Sequence, residues 1–192
     1  IVSTIFRWQN PRPAGMPLTW RDDPGLSSAG TIADVGSHAY DVVRWITGTE
    51  AASVLAHGET LTPSKADLGA INLEEALEWR AGETSEEVHT RQGGTVDYAS
   101  LSCRYANGAV GSYLLSHATF LRKHLAPELE LHGTSASLSV DRWSGEVILV
   151  SPDQKKSILE KVPDEGFGNR FGKWVFPSLA PIVRGRGTIR KS

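Results

Sequence analysis

One polar stripe in the sequence carries groups suited to acid–base chemistry. In residues 29–48, AGTIADVGSHAYDVVRWITG, Asp34, His38 and Asp41 are spaced four and three residues apart. Such spacings put side chains on one face of a helix, and Trp45 continues the stripe. An imidazole changes its charge near neutral pH, and a carboxylate one turn away can orient it. The stripe is a candidate site for proton transfer, and an ordinary surface pair of Asp34 and His38 is the alternative.

The same three side chains also offer ligands to a metal ion. Histidine and carboxylate are common metal ligands, and a spacing of four residues on a helix suits metal binding. No fourth ligand is evident near the stripe. We therefore expect no metal site, and a metal-binding domain is the less favoured interpretation.

A helix over residues 29–47 is needed to position this stripe. Its apolar side is expected to pack on a core and comprises Ile32, Val35, Ala39, Val42, Val43 and Ile46. Ser27 or Ser28 is predicted to cap its start, and Gly48 suits the left-handed residue after its end. Gly36 in the helix interior costs about 1 kcal/mol relative to alanine. This cost predicts that a ligand, a cofactor or another backbone approaches closely at Gly36.

The rest of the chain reads mainly as strands. Residues 1–8 and 52–57 have strand patterns, whereas 59–95 form a polar excursion with a possible helix at 72–80. From Val96 onward several strands follow one another through short turns, which indicates an antiparallel meander. The fold class predicted is α+β, an open, mainly antiparallel sheet with helices on one face.

Two local patterns in the second half of the chain give more specific predictions. Asn107-Gly108 is the favoured pair for a two-residue type I′ hairpin. The segment WVFPSLAPIVRG, residues 174–185, is predicted to form a closing helix, with Pro177 in its first turn. Cys103 alternates with Leu101 and Tyr105 on one strand face, so we expect it to lie in the core and not to act as a nucleophile.

Composition limits the partners and the location of the chain. Its 192 residues suffice for one domain, and a net charge of -2 provides no basic field for nucleic acid. One cysteine cannot form an internal disulfide, and no stretch approaches the roughly 18 apolar residues of a membrane span. We expect a cytoplasmic protein with no nucleic-acid or membrane partner. The strand-like start without Met suggests a fragment whose missing part lies upstream.

Several motifs together resemble one enzyme family. The run from Gly30 follows the pattern G-x-x-x-D-x-G-x-H-x-x-D, and it is preceded by WRDDP and followed by DYASLSCRYANGAVGSYLLS and ELELHGTSASLSVD. In this order they resemble the C-terminal domain of the Gfo/Idh/MocA family of NAD(P)-dependent sugar and inositol dehydrogenases. The resemblance covers most of the chain and is weakest over 59–95.

The resemblance implies that residues 1–192 are one substrate-binding and oligomerisation domain. Family members carry an N-terminal Rossmann domain, which we expect to be absent here because the sequence has no G-x-G-x-x-G after a strand and no E-K-P motif. NAD or NADP would then be bound mainly by the absent domain, and this fragment alone is expected to be inactive. The family's open sheet face implies a homo-oligomer.

The resemblance also implies roles for individual residues. His38 corresponds to the catalytic acid or base, and Asp34 flanks the same carbon of a sugar, inositol or related polyol substrate. Further candidates for substrate binding are Asp41, Arg21, Trp20 and His117, each with a local structural role as the alternative. A non-catalytic binding or assembly module of the same fold is the alternative function.

Overall fold

An eight-stranded open sheet dominates the computed structural model, which describes residues 1–69, 71–79, 88–123 and 125–162. Its strands are β1 (Ser3–Gln9), β2 (Ala51–Glu59), β5 (Tyr98–Tyr105), β6 (Val110–Ser116), β7 (Leu129–His132), β8 (Ser137–Asp141), β9 (Glu146–Val150) and β10 (Lys156–Lys161). A two-stranded sheet pairs β3 (Lys65–Ala66) with β4 (Thr90–Arg91). The large sheet has the order β10-β9-β8-β7-β1-β6-β5-β2.

The pairing in the large sheet is antiparallel except between β1 and β6, which run parallel. This confirms the predicted α+β class with an open, mainly antiparallel sheet. The strands after Val96 do not form one continuous meander, because β1 lies between β6 and β7. The connection from β6 to β7, residues 117–128, is long enough to pass β1, whereas β5–β6, β7–β8, β8–β9 and β9–β10 are joined by short turns.

A helical segment packs on one face of the sheet. It begins with a π-helical turn at Ile32–Gly36 and continues as α1 (Ser37–Thr47). Val35, Ala39 and Val43 are buried against the sheet. Gly48 has a φ of 66° and its N–H donates to the Arg44 carbonyl, which confirms the predicted left-handed end. The helix therefore fixes the direction in which the polar stripe faces.

The apolar face that the helix buries is narrower than predicted. Val42 and Ile46 are 40% and 37% exposed, and Trp45, which continues the polar stripe, is 83% exposed. One helix lying on a twisted sheet buries mainly a row spaced by four residues, so the flanks of the predicted apolar face stay open. The predicted serine cap is also absent among the described hydrogen bonds, because the Thr31 N–H donates instead to the Val96 carbonyl at 2.8 Å.

Gly36 is tolerated because the sheet lies directly beneath it. A Cβ at this position would stand 2.8 Å from Cδ1 of Leu115 on β6. The close approach was predicted, but it comes from a core side chain and not from a ligand, a cofactor or backbone. The core around it includes Phe6, Tyr105 and Tyr113.

The β5–β6 hairpin turns through three residues instead of two. Tyr105 and Ala109 close the loop through a 2.9 Å hydrogen bond, and Gly108 alone has a positive φ, 87°. A type I′ turn requires a positive φ at both central residues, so that prediction was wrong. The side chain of Asn107 instead accepts from the Ala109 N–H at 3.0 Å.

The excursion between β2 and β5 contains the small sheet and one short helix. The helix α2 (Leu73–Glu78) begins with a capping box between Asn72 and Glu75. Its predicted last residue, position 80, and the predicted closing helix at 174–185 lie outside the described residues. Within the described ranges, no helix is both long and apolar enough to cross a membrane.

Candidate functional site

The start of the helix is locked to the segment that leads into β5. Gly30 has a φ of +49°, and a Cβ there would lie 2.1 Å from the Val96 carbonyl oxygen. No larger residue fits this position without moving backbone. The π-helical turn that carries Asp34 is therefore held at a fixed distance from residues 95–97.

Asp34 meets two other candidate residues at one carboxylate. The Arg21 Nε donates to its Oδ2 at 3.2 Å, and His117 Nε2 lies 3.7 Å from the same oxygen. Asp34 is half-buried, and within the described part of the chain no hydrogen bond joins it to His38. The structure thus brings together Arg21, Asp34 and His117, three residues predicted from the sequence.

His38 lies one turn further along the helix and is exposed. Its ring centroid is 6.3 Å from that of Trp8 on β1, with the planes tilted by 33°. Cζ of Arg142 lies 4.8 Å from the Trp8 ring centroid, and this contact orders the indole. An exposed imidazole beside an aromatic wall can exchange a proton with a bound hydroxyl.

Trp8 was missed as a site residue, since a tryptophan in a strand is usually assigned to the core. It pairs with Leu115 of β6 in the parallel register and is only half-buried. The available signal was its place near the end of β1, next to a loop rich in proline. That position puts the indole near the C-terminal end of a central strand, beside the helix.

His117 directly follows β6 and is 7% exposed. Burial lowers the pKa of His117 to about 4, and the nearby Arg12 acts in the same direction, while Asp34 opposes them. The imidazole is therefore neutral at pH 7, with one N–H donor and one acceptor nitrogen. Its backbone N–H donates to the Asp97 carbonyl at 2.8 Å, which fixes its position.

A buried ion cluster lies behind these residues. Asp22 is approached by Lys65 Nζ at 3.3 Å and by Arg12 at 3.7 Å. Burial acts to raise the pKa of Asp22, but Lys65 and hydrogen bonds from Thr19 outweigh it, and the net shift is downward. This cluster ties the excursion that carries Lys65 to the loop that precedes the helix.

Trp20 and Arg21 lie in the loop before the helix, next to Asp34. Cζ of Arg21 lies 4.4 Å from the centroid of the Trp20 ring, which is 37% exposed. The Arg21 guanidinium thus covers one face of the Trp20 indole and contacts the Asp34 carboxylate.

Asp41 makes a surface interaction. Its carboxylate accepts from Arg44 at 2.7 Å, and Arg44 also donates to Glu50 at 2.9 Å. Among the described residues, no group of three or more His, Cys, Asp or Glu side chains is arranged to hold a metal ion. Cys103 is buried in the core as predicted, and burial raises the pKa of its thiol.

The family model described as the GFO/IDH/MocA C-terminal domain matches residues 1–139. This span contains every candidate site residue: Trp20, Arg21, Asp34, His38, Asp41 and His117. Levoglucosan dehydrogenase of Pseudarthrobacter phenanthrenivorans is 28% identical over 170 residues, which cover 85% of this chain and 41% of that protein.

Solved structures share the fold at lower sequence identity. An oxidoreductase domain protein from Kribbella flavida has a TM-score of 0.68 at 17% identity. The match covers 98% of this chain and 52% of the Kribbella chain. Levoglucosan dehydrogenase in complex with NADH and levoglucosan has a TM-score of 0.65 at 19% identity, covering 98% and 51%. The same enzyme has also been solved with NADH and L-sorbose, with a TM-score of 0.66 at 20% identity, covering 100% and 52%. The chain spans about half the length of the relatives it matches.

Proposed function

Because the chain belongs to the GFO/IDH/MocA family, we propose that it forms the substrate-binding part of an NAD(P)-dependent dehydrogenase of sugars, inositol or related polyols. The observation that carries the proposal is that His38 is exposed while Asp34, one turn earlier on the same helix, is held by Arg21. The relative named levoglucosan dehydrogenase, also solved with NADH, supports this class of substrate and cofactor.

In the proposed reaction, His38 and Asp34 have different roles. Oxidation of an alcohol removes a hydride from carbon and a proton from the hydroxyl, and a bound nicotinamide supplies the hydride acceptor. His38 takes the hydroxyl proton, and it gives the proton back when the reaction runs in reverse. Asp34, kept in place by Arg21 and near His117, binds a neighbouring hydroxyl of the substrate.

The residues of this chain are better suited to binding the sugar or polyol substrate than to binding the dinucleotide. The sequence holds no G-x-G-x-x-G motif, and in the described ranges no glycine-rich turn joins a strand to a helix N-terminus as pyrophosphate binding requires. His38 is exposed at the flank of α1 beside Trp8, where a nicotinamide bound by another domain can approach. The choice between NAD and NADP then depends on that domain.

The sheet face opposite α1 is proposed to join copies of the chain. Strand alternation puts apolar side chains on this face, namely Ile5, Leu55, Leu114, Ile148 and Ile158. Leu55 and Ile158 are 77% and 59% exposed. The same face also carries polar side chains such as Arg7, Glu130 and Ser139, and the exposed apolar side chains among them are what favours self-association. The cytoplasmic location expected from composition stays a prediction.

Dehydrogenase activity tests the proposal directly. The longest natural form of the protein, and a fusion of this chain to the dinucleotide-binding domain of the Pseudarthrobacter enzyme, are assayed with levoglucosan, L-sorbose and myo-inositol. We expect reduction of NAD⁺ or NADP⁺ with at least one of them, and none with the 192-residue chain alone. A longer form that binds NADH but oxidises no member of the panel would contradict the proposal.

A further inference from the structure

Arg12, in the loop after β1, carries a guanidinium that makes no hydrogen bond within the described part of the chain. Its side chain is only 13% exposed, and its ion-pair partner Asp22 lies 3.7 Å away, beyond hydrogen-bond distance. The Arg12 backbone N–H donates to the His117 carbonyl at 3.2 Å, which fixes where the side chain begins. A guanidinium has five N–H donors, and leaving them unmade in a buried place lowers stability.

The Asp22 carboxylate is already occupied by other donors. Its Oδ2 accepts from the Thr19 N–H at 2.8 Å and from the Thr19 hydroxyl at 3.0 Å. Its Oδ1 accepts from Lys65 Nζ at 3.3 Å. Asp22 is therefore neutralised and hydrogen-bonded without Arg12, and neutralising it does not by itself account for a second buried cation.

The Arg12 side chain lines a small polar cavity together with Asp34 and His117. This cavity has an empty volume of about 250 Å³, part of it open to solvent, and its enclosed part has room for about one water-sized group. The hydroxyl oxygen of Thr31 in the same wall is fully buried, whereas the Arg12 side chain is partly exposed. One functional group of a larger molecule that enters beside Asp34 can therefore reach Arg12.

Several other polar groups of the cavity wall already have partners. The Asp97 carboxylate accepts from two backbone N–H groups at 2.7 and 3.0 Å. The Thr95 hydroxyl donates to the Arg21 carbonyl at 2.7 Å. The Arg21 Nε donates to Oδ2 of Asp34 at 3.2 Å. These contacts hold the wall in place and leave these donors engaged.

Three side chains of the wall keep accessible hydrogen-bonding capacity: Arg12, Ser27 and His117. The guanidinium can only donate, whereas a serine hydroxyl and a neutral imidazole can both donate and accept. Asp34 adds an acceptor, because its described contacts with Arg21 and His117 are all made by Oδ2. A ligand hydroxyl can thus accept from Arg12 and donate its own proton to a neighbouring acceptor.

The charges around Arg12 favour a neutral ligand group over an anion. Burial lowers the pKa of Arg12, and the nearby Arg21 acts in the same direction. Three carboxylates act against them, those of Asp22, Asp34 and Asp97. In number these carboxylates balance the three cations of the region, Arg12, Arg21 and Lys65. A further carboxylate beside Asp34 would be repelled, whereas a hydroxyl gains the Arg12 donors without that cost.

We propose that Arg12 is a substrate-binding residue whose guanidinium donates to one hydroxyl of the sugar or polyol, beside Asp34. The inference rests on the proposed function and adds to it a residue that determines specificity. Arg12 selects substrates with a hydroxyl at this position over deoxy analogues, and over analogues with a carboxylate there. The proposal also explains why a buried arginine lies next to an aspartate that Lys65 already neutralises.

Nuclear magnetic resonance of the 192-residue chain, labelled with ¹⁵N in its arginines, tests this contact. Levoglucosan and myo-inositol are the neutral probes, glucuronate is the charged probe, and the Arg12 Nε resonance is identified by its loss in Arg12→Met. We expect a saturable shift of this resonance with a neutral probe, and weaker binding of glucuronate. The Nε resonance of Arg122, an exposed arginine that does not line the cavity, is the internal control.

Substitutions of Arg12 measure what its donors contribute. Arg12→Met keeps a side chain of similar length and is expected to weaken binding of the neutral probe about 10- to 100-fold, the range for hydrogen bonds from a charged group. Arg12→Lys keeps the charge without the planar fork and should bind between these limits. Arg122→Met is the matched control and should leave the dissociation constant unchanged. Melting temperatures show whether each variant is folded.

Deoxy probes give a measurement that does not depend on the stability of any variant. The original chain is titrated with the monodeoxy derivatives of levoglucosan. One of them should bind about 10- to 100-fold more weakly than levoglucosan and should no longer shift the Arg12 resonance. Shifts of equal size with every deoxy derivative would show that no single hydroxyl contacts Arg12.

The outcomes separate this inference from the proposed function. No saturable shift of the Arg12 resonance with either neutral probe, or tighter binding of glucuronate, would overturn the role of Arg12. A folded Arg12→Met chain that binds as before would overturn it too, since Arg12 would then only support Asp22. A shift at Arg12 without any turnover by the longer protein would leave this contact standing and contradict the dehydrogenase.

Discussion

His117 Nε2 lies 3.7 Å from Asp34 Oδ2, so the end of β6 and the first turn of the helix meet at one carboxylate. The same oxygen accepts from Arg21 Nε at 3.2 Å. Asp34 is therefore held by partners from two other segments, while His38 on the next turn faces solvent. A fixed carboxylate beside an accessible imidazole suits a site in which one group positions the substrate and the other moves the proton.

His38→Ala is expected to lower turnover in the longer protein about 10²- to 10⁴-fold, because a general acid or base typically contributes that much. Binding of NADH should change little, since the proposal assigns it to another domain. Steady-state kinetics and a dinucleotide titration measure both quantities. His57→Ala, at a histidine on β2 whose side chain is 65% exposed, is the matched control and should retain activity. Full turnover in His38→Ala would exclude His38 as the acid or base.

The stability of the chain should fall on acidification in a window set by His117. Burial keeps the pKa of His117 in the folded chain near 4, below the ordinary 6.5. Between these pH values the unfolded chain is protonated at His117 and the folded chain is not. Stability is complete above about 6.5 and decreases as the pH falls toward 4, by up to about 3 kcal/mol. Urea denaturation at a series of pH values measures this slope.

The comparison of His117→Gln with the original chain isolates this effect. Glu128 has a pKa raised by burial, so it contributes in the opposite direction, and Asp22, with a lowered pKa, acts only at more acidic pH. The difference between the two curves removes both contributions. Equal slopes between pH 6.5 and 4 would show that His117 is not held neutral.

Two glycines with the same left-handed backbone should respond very differently to alanine. Gly30 and Gly48 have φ values of +49° and +66°, but only at Gly30 does a Cβ meet backbone, at 2.1 Å from the Val96 oxygen. Gly48→Ala is expected to cost about 1 kcal/mol from φ strain alone. Gly30→Ala should cost more than about 3 kcal/mol, because the helix start must move. Similar losses in urea denaturation would refute this account of the helix start.

These residues also show which features of the site can be predicted from the sequence and which depend on the tertiary fold. The spacing of Asp34 and His38 and the left-handed Gly48 follow from helical periodicity and local backbone preference, which the sequence carries directly. The partners of Asp34 could not be paired in advance, because Arg21 and His117 reach it only through the strand order of the sheet. Placing β1 between β6 and β7 depends on long-range pairing, and that placement also put Trp8 beside His38.

Lys65→Met should destabilise the chain by about 3 kcal/mol. The Lys65 side chain is 6% exposed and neutralises Asp22, so its loss leaves a buried carboxylate with Arg12, at 3.7 Å, as its remaining described cation beside the Thr19 hydrogen bonds. The double variant with Asp22→Asn should recover part of the loss, since the uncompensated charge is removed. Lys155→Met is the matched control, because that lysine pairs with Asp153 on the surface and its side chain is 84% exposed. Additive losses in the double-mutant cycle would show that Lys65 and Asp22 are not coupled.

Leu114→Lys is expected to dissociate an oligomer formed through the sheet face opposite α1. Leu114 alternates with the buried Tyr113 and Leu115, so its side chain lies on the opposite face, beside its register partner Arg7. A lysine there removes apolar contact area and buries a charge in any contact that copies make through this part of the face. Light scattering on the original chain and the variant gives their masses directly. Leu125→Lys, at an apolar loop residue that is 81% exposed, is the control and should leave the mass unchanged. An original chain that is monomeric at all concentrations, or an oligomer that survives Leu114→Lys, would show that this face does not join the copies.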